Sequence, residues 1–256
     1  MTQRAFSPFL GHSREPALMG APTVVILAGG LGTRLRSVVT DRPKVLAEIG
    51  GRPFLSYWLE TLEVQGFREV TICAGYLGDQ VERTFGNAFG PLRISYSRET
   101  QPLGTGGALR LALPQVATET LLTLNGDSFC EVDLAAFWQT HTQQRRVASM
   151  ILRFEQDTQR FGRVTLHPDS RLENFLEKSD LARPGWINAG IYLLPKRWLE
   201  PVQLGQVVSL ERDLLPKWLA EGIHGFPSAG RFIDIGTPES FAQAQEFFAG
   251  SRKLAA

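Results

Sequence analysis

The run Leu27-Ala28-Gly29-Gly30-Leu31-Gly32-Thr33-Arg34-Leu35 is built to meet an anion. Its three glycines let main-chain N–H groups crowd around a ligand with no Cβ in the way. Arg34 adds a planar cationic fork that matches phosphate oxygens. Pro43-Lys44 brings a second cation on a stiffened approach. Main-chain donors and two cations suit a ligand with several negative charges, such as a triphosphate. The same glycines also suit an ordinary strand-to-loop turn, so the loop alone does not settle the matter. Two competing phosphate motifs fail. G-x-G-x-x-G counted from Gly30 meets Gly32 and then Leu35, and counted from Gly29 it meets Leu31. The pattern G-x-x-x-x-G-K-[ST] is absent as well.

Two aspartates offer the complementary chemistry. Asp127 closes Leu124-Asn125-Gly126-Asp127, and Asp234 stands in Phe232-Ile233-Asp234-Ile235-Gly236-Thr237-Pro238. A carboxylate just past the C-terminal end of a parallel strand lies where open α/β sheets bind ligands. Two such carboxylates from separate strand ends can share one hard cation. Magnesium fits, because it accepts carboxylate and phosphate oxygens while keeping several waters. Each aspartate by itself also reads as a turn residue.

Further elements line up along the chain. Glu99-Thr100-Gln101-Pro102-Leu103-Gly104-Thr105-Gly106-Gly107-Ala108 leads into a helix, and Phe161-Gly162, Glu177-Lys178 and Asn188-Ala189-Gly190 follow. Glu177 can accept two hydroxyls, Asn188 can donate and accept, and Lys178 can neutralise a phosphate. Without context Glu177-Lys178 is a solvated charge pair.

These groups need elements to hold them. Thr23–Ala28 reads as a buried strand running into the glycines. Pro53 opens a helix with Leu55, Trp58, Leu59 and Leu62 on one face, and Gly66 stops it. Strands at 69–74, 92–97 and 120–125 alternate with helices at 79–85 and 106–113. That alternation predicts an α/β fold with a parallel sheet and helices on both faces. Residues 146–154, 162–166, 171–177 and 186–194 read as successive strands of a small mixed region over the first sheet. Helices return at 210–220 and 238–248, the last with Thr237 as N-cap and Gly250 just past its end.

The chain has 256 residues, 43% of them hydrophobic, which suits one large domain. The formal net charge of +1 argues against a nucleic-acid surface. Cys73 and Cys130 sit in apolar stretches and read as buried reduced thiols, and the four histidines show no zinc-ligand spacing. No apolar run suggests a signal peptide or membrane span. A cytoplasmic protein without membrane partners is therefore expected. Residues 1–22 are expected to be a flexible extension to a single domain over 23–250. The five tryptophans read as packing residues.

G-G-x-G-T-R-L followed by P-K resembles the signature of the sugar-1-phosphate nucleotidyltransferase family. The resemblance covers roughly residues 23–245. It implies a Rossmann-like, GT-A-like, mostly parallel sheet, with residues 23–130 as the nucleotide-binding half and 131–250 as the sugar-phosphate half. By motif match it assigns Leu27, Ala28, Gly29, Gly30, Gly32, Thr33, Glu99, Gly104, Thr105, Asn125 and Gly126 to the nucleotide. Gly162, Glu177 and Asn188 fall to the sugar, Arg34, Lys44 and Lys178 to catalysis, and Asp127 and Asp234 to Mg2+. The implied partners are a nucleoside triphosphate and a sugar 1-phosphate, on a monomer or small homo-oligomer. The form E-x-x-P-L-G-T-G-G is similar to that of members that guanylylate mannose or heptose 1-phosphates, and the motifs together, with Lys44, Arg52–Leu55, Leu124–Ser128, Arg160–Gly162 and Phe232–Gly236, resemble those acting on D-glycero-α-D-manno-heptose 1-phosphate. Phe161 departs from the pattern, since many relatives carry Tyr there. A uridylyl- or thymidylyltransferase, a non-catalytic sugar-nucleotide sensor and a dinucleotide enzyme are the competing readings.

Overall fold

The structure, a computed structural model, describes residues 17–35, 37–176 and 183–253. Its centre is β1 (Thr23–Leu27), where Val24, Val25 and Ile26 are wholly buried. Protein covers both faces of this strand, which explains its unbroken apolar run. The first half continues with a short hairpin, β2 (Glu48–Ile49) and β3 (Arg52–Pro53), then α1 (Phe54–Val64), β4 (Glu69–Ala74) and α2 (Gly78–Phe85). A second hairpin, β5 (Ala88–Phe89) and β6 (Leu92–Arg98), leads to α3 (Gly104–Ala112) and β7 (Thr120–Asn125). The second half comprises β8 (Ser128–Cys130), α4 (Leu134–Gln143), β9 (Ala148–Glu155), β10 (Arg163–Leu166), β11 (Leu172–Leu176) and β12 (Gly185–Pro195). It ends with α5 (Leu215–Trp218), β13 (Ile223–Ser228), β14 (Phe232–Asp234) and α6 (Pro238–Lys253).

Strands β7, β1, β4 and β6 form the parallel core of a ten-stranded sheet. Here the expectation of a separate mixed layer above this core is corrected: the later strands extend the same sheet sideways. The cause is β12, whose Ile191–Pro195 pair antiparallel with β7 while its Trp186 and Ile187 pair with β10. One long strand thus joins both halves, with a register shift between Asn188 and Tyr192. Core side chains divide by the strand period. Val24 and Ile26 share a cluster with Trp58, Phe137 and Phe248, whereas Val25 joins Leu109, Met150 and Leu215 on the other face.

Helix α1 begins after Pro53, as its sequence predicts, but is buried on nearly every side. Tyr57 stacks on Phe248 of α6 at 3.8 Å, and Trp58 Nε1 donates to Ser128 O at 2.6 Å. Several boundaries differ from the sequence reading. Helix α3 starts at Gly104, because the N–H groups of Gly106 and Gly107 find Val208 O instead of a side-chain cap. Helix α4 was not anticipated. Its start is capped by Asp133 and by the distant Gln65, whose Oε1 accepts from Leu134 N at 2.6 Å. The expected helix at 210–220 is a wide turn over Leu210–Leu214 followed by α5, with Pro216 near the start of the latter. Helix α6 runs through Gly250 to Lys253. Residues 17–22 are not a free extension: Leu18 N donates to Gly66 O at 2.9 Å, and Leu18 and Ala21 pack on the core.

His141 of α4 gives the fold a pH signature. It is 4% exposed, and its Nδ1 lies 3.0 Å from Ser149 Oγ. Burial, reinforced by the charges of Arg146 and His224, pushes its pKa down from 6.5 to about 4. As pH falls, the unfolded chain takes up this proton before the native protein does. Stability is therefore lost between pH 6.5 and about 4. Urea denaturation is expected to show about 3 kcal/mol of this loss at pH 4, and His141→Gln should flatten that part of the profile.

Candidate functional site

The loop after β1, Lys44 and the two aspartates meet at one edge of the parallel core. Gly126 N donates to Leu27 O at 2.9 Å, so the ends of β1 and β7 advance together. Beyond β7 the chain turns into β8, which pairs antiparallel with β14 and sets Ser128 opposite Asp234. Ile235 N donates to Asp127 O at 3.0 Å. This small ribbon, pinned from below by Trp58, brings two carboxylates more than a hundred residues apart to one place. Lys44 arrives on a short turn anchored by buried Val45 and Leu46, with its Cβ packed against Gly32.

The electrostatics are tightly matched. Lys44 Nζ lies 2.8 Å from Asp127 Oδ2, with 10% and 41% of the respective side chains exposed. Arg160 Nη2 donates to Asp234 Oδ1 at 2.9 Å, and Gly236 N donates to the same oxygen at 3.0 Å. Burial would push the Asp127 carboxyl up, but the charge and hydrogen bond of Lys44 outweigh it and hold it below the usual carboxylate range. Asp234 is pushed the other way, by burial first and then by the charge of Asp127. Two carboxylates offering only oxygen donors have the chemistry that a hard divalent cation would accept. Among the described residues no group of three or more His, Cys, Asp or Glu side chains offers a richer metal cage. The oxygen donors of Asp127 and Asp234 are compatible with Mg2+, which would need further ligands from outside the protein.

Three recesses open around this point. The first is lined by Ala28, Gly30, Thr33, Arg34 and Lys44, together with Leu27, Gly32 and Asp127. Leu31, Arg34 and Thr33 are exposed, as a loop waiting for a ligand would be. The second, the most apolar, is lined by Gly29, Glu99, Pro102, Gly104, Thr105 and Asn125. Glu99 Oε2 accepts from Leu103 N at 3.1 Å, and burial raises the Glu99 carboxyl. A Cβ on Gly29 would lie 2.4 Å from Glu99 Oε1, so a larger residue there would displace the Glu99 carboxylate. The third is lined by Asn125, Asp127, Gly162, Asn188, Arg160 and Asp234. Gly126 lines none of the three; its N–H donates to Leu27 O at 2.9 Å.

Sequence reasoning missed the residues that tie the second and third recesses together. Asn188 Nδ2 donates to Tyr192 Oη at 2.6 Å, and Tyr192 Oη donates to Glu211 Oε1 at 3.3 Å. Glu211 Oε2 accepts from the hydroxyl of Thr105 at 2.7 Å. Glu211 opens the charged run Glu211-Arg212-Asp213 in a segment that reads as an ordinary helix, so nothing local marks it. Arg160 is visible only as the residue before Phe161-Gly162. The expected ligands Glu177 and Lys178 lie outside the described residues. Asn125 Oδ1 is buried without a partner, facing the junction of the recesses.

The chain matches the nucleotidyl transferase family over residues 23–251. It is 38% identical over 223 residues to the D-glycero-alpha-D-manno-heptose 1-phosphate guanylyltransferase of Aneurinibacillus thermoaerophilus, covering 87% of this chain and 96% of that relative. The mannose-1-phosphate guanylyltransferase of Mycobacterium tuberculosis is 34% identical over 224 residues, covering 86% of this chain and 62% of that longer protein. The crystal structure of HddC from Yersinia pseudotuberculosis complexed with GMP-PN superposes with a TM-score of 0.78 at 34% identity, covering 89% of this chain and all 100% of that one.

Gly190 supplies a direct check on the packing of Asn125. Its φ is +73°, and a Cβ there would lie 2.7 Å from Asn125 Nδ2. Gly190→Ala is expected to cost about 2 kcal/mol in urea denaturation. A Cβ at Gly30 meets nothing within 4 Å. Gly30→Ala should therefore stay within about 0.5 kcal/mol of the parent chain.

Proposed function

Starting from the chain's membership of the nucleotidyl transferase family, we propose that it condenses GTP with D-glycero-α-D-manno-heptose 1-phosphate to give GDP-heptose and pyrophosphate. The observation that carries this reading is the meeting of a glycine loop, Lys44 and two carboxylates between an apolar and a polar recess. A triphosphate needs the first, a base the second and a sugar the third.

In this reading Arg34, Lys44 and the loop amides hold the triphosphate. Gly104 and Thr105 line the wall for the base and ribose. Glu99 faces the base edge, where guanine presents two adjacent N–H donors and a pyrimidine such as uracil only one. Gly162, Glu177 and Asn188 take the sugar, and Lys178 steadies its phosphate. Asp127 and Asp234 would hold Mg2+, which would supply Lewis acidity at the reacting phosphates. An oxygen of the sugar phosphate attacks the α-phosphorus in line. The new P–O bond forms as the bond to the β-phosphate oxygen breaks, and pyrophosphate carries the charge away. The phosphate monoester is already a nucleophile, so no Ser–His or Cys–His pair is called for. Catalysis is positioning and charge stabilisation by the chain's own side chains. The 38% identity to a heptose 1-phosphate guanylyltransferase supports this choice of substrates. The setting proposed is the cytoplasm, in nucleotide-sugar supply for polysaccharides. Among the described residues no helix is long and apolar enough to cross a membrane.

The test is a matrix of GTP, UTP, dTTP, CTP and ATP against heptose, mannose and glucose 1-phosphates, scored by pyrophosphate release and product mass. GTP with the heptose 1-phosphate is expected to give the highest kcat/KM. A pyrimidine preference would remove the role of Glu99, and a mannose preference would move the chain to the other guanylyltransferase group. In the same assay Asp127→Asn should fold normally yet lose at least about 100-fold in turnover, the scale of one transition-state contact.

A further inference from the structure

Arg160 has a place in the cleft that the reaction described so far does not use. Its guanidinium donates to Asp234 Oδ1 at 2.9 Å and to Ser240 Oγ at 3.4 Å. It also lines the polar recess beside Asn188 and Gly162, where the sugar 1-phosphate would lie. Its neighbour Phe161 packs edge-on against Phe232 of β14 with ring centroids 5.5 Å apart, so the backbone at Arg160 is tied to the strand that carries Asp234. The two partners differ in freedom: Asp234 is 18% exposed and Arg160 43%. The carboxylate is the more enclosed partner, and the arginine reaches it from the solvent side.

The charges explain why the arginine should move. Lys44 on Asp127 and Arg160 on Asp234 together neutralise both carboxylates. A divalent ion on the same carboxylates would face a guanidinium already hydrogen-bonded to one of them, and like charges at such distances repel. Ion and arginine therefore compete for Asp234. Once released, the arginine remains in a cleft that then holds excess positive charge, beside the position of an incoming phosphate, and a guanidinium binds phosphate in a bidentate fashion.

We propose that Arg160 is the resident counter-ion of Asp234 in the ion-free protein, yields that carboxylate to the divalent ion, and then binds the phosphate of the sugar 1-phosphate. This rests on the reading that Asp127 and Asp234 hold the ion. It makes acceptor binding depend on prior ion loading.

The experiment titrates Mn2+ alone into nucleotide-free protein, followed by calorimetry and by the electron paramagnetic resonance signal of the free ion. Removing the competing charge with Arg160→Gln is expected to tighten the Mn2+ Kd by about tenfold, while Arg160→Lys keeps it near the parent value. In steady state Arg160→Gln should raise KM for the sugar 1-phosphate by about tenfold and leave KM for GTP within about twofold. An Mn2+ Kd for Arg160→Gln equal to or weaker than that of the parent overturns the proposal. A tightened Kd with an unchanged sugar 1-phosphate KM overturns its acceptor half. Asp234→Asn separates the two levels. If it abolishes Mn2+ binding while Arg160→Gln changes nothing, only the arginine's role fails. If it binds Mn2+ as the parent does, the carboxylate pair itself is wrong.

Discussion

Asp127 and Asp234 repel each other, and the fold nevertheless holds them side by side. Three antiparallel residue pairs between β8 and β14 enforce this, with Trp58 donating from α1 to the carbonyl of Ser128 beneath them. The ribbon can do so because Phe129 and Ile233 bury its inner face in the core. Everything at the cleft follows from that juxtaposition. Lys44 and Arg160 are drawn in to balance the pair, the Asp234 carboxyl is pushed up, and the phosphate loop after β1 is brought to the same edge by its bond to the turn after β7. In the proposed function, like charges kept together by packing would take a divalent partner.

The same arrangement gives one domain two neighbouring recesses. The parallel core sets the glycine loop and Asn125 at one edge, since β1, β4 and β7 end together there. The long strand β12 lines the polar recess, since it runs on past its pairing with β7, with a register shift against β9, and carries Asn188 and Gly190 past Asn125. Asn188, Tyr192, Glu211 and Thr105 then form a hydrogen-bonded path from the polar recess to the apolar one. In the proposed function the two reactants would share that wall, which would favour alignment of the attacking oxygen.

Much of this was legible in the residues. The glycine loop, Pro43-Lys44 and the two aspartate motifs carry their own punctuation, and the strands of the parallel core are short apolar runs bounded by turns. Membership of the nucleotidyl transferase family agrees with what those motifs implied. What stayed hidden depends on contacts between distant segments. Helix α4 relies on Gln65, far back in the chain, for part of its cap. The sideways extension of the sheet depends on β12 pairing with two neighbours at once, which no periodicity reveals. Glu211 reads as a solvated acid until Tyr192 and Thr105 are seen on either side. Arg160 gains meaning only when β14 places Asp234 within its reach. Local sequence announces turns, caps and phosphate loops; pairings between remote strands decide which side chains become partners.

The central claim is that Asp127 and Asp234 share one divalent ion next to the α-phosphate. A crystal of the protein grown with Mn2+ and a non-hydrolysable GTP analogue, with anomalous data collected at the manganese edge, tests it directly. The account predicts a manganese peak between the two carboxylates and within coordination distance of an α-phosphate oxygen. A peak bound only to the terminal phosphates, with Lys44 still on Asp127 and Arg160 still on Asp234, would contradict it.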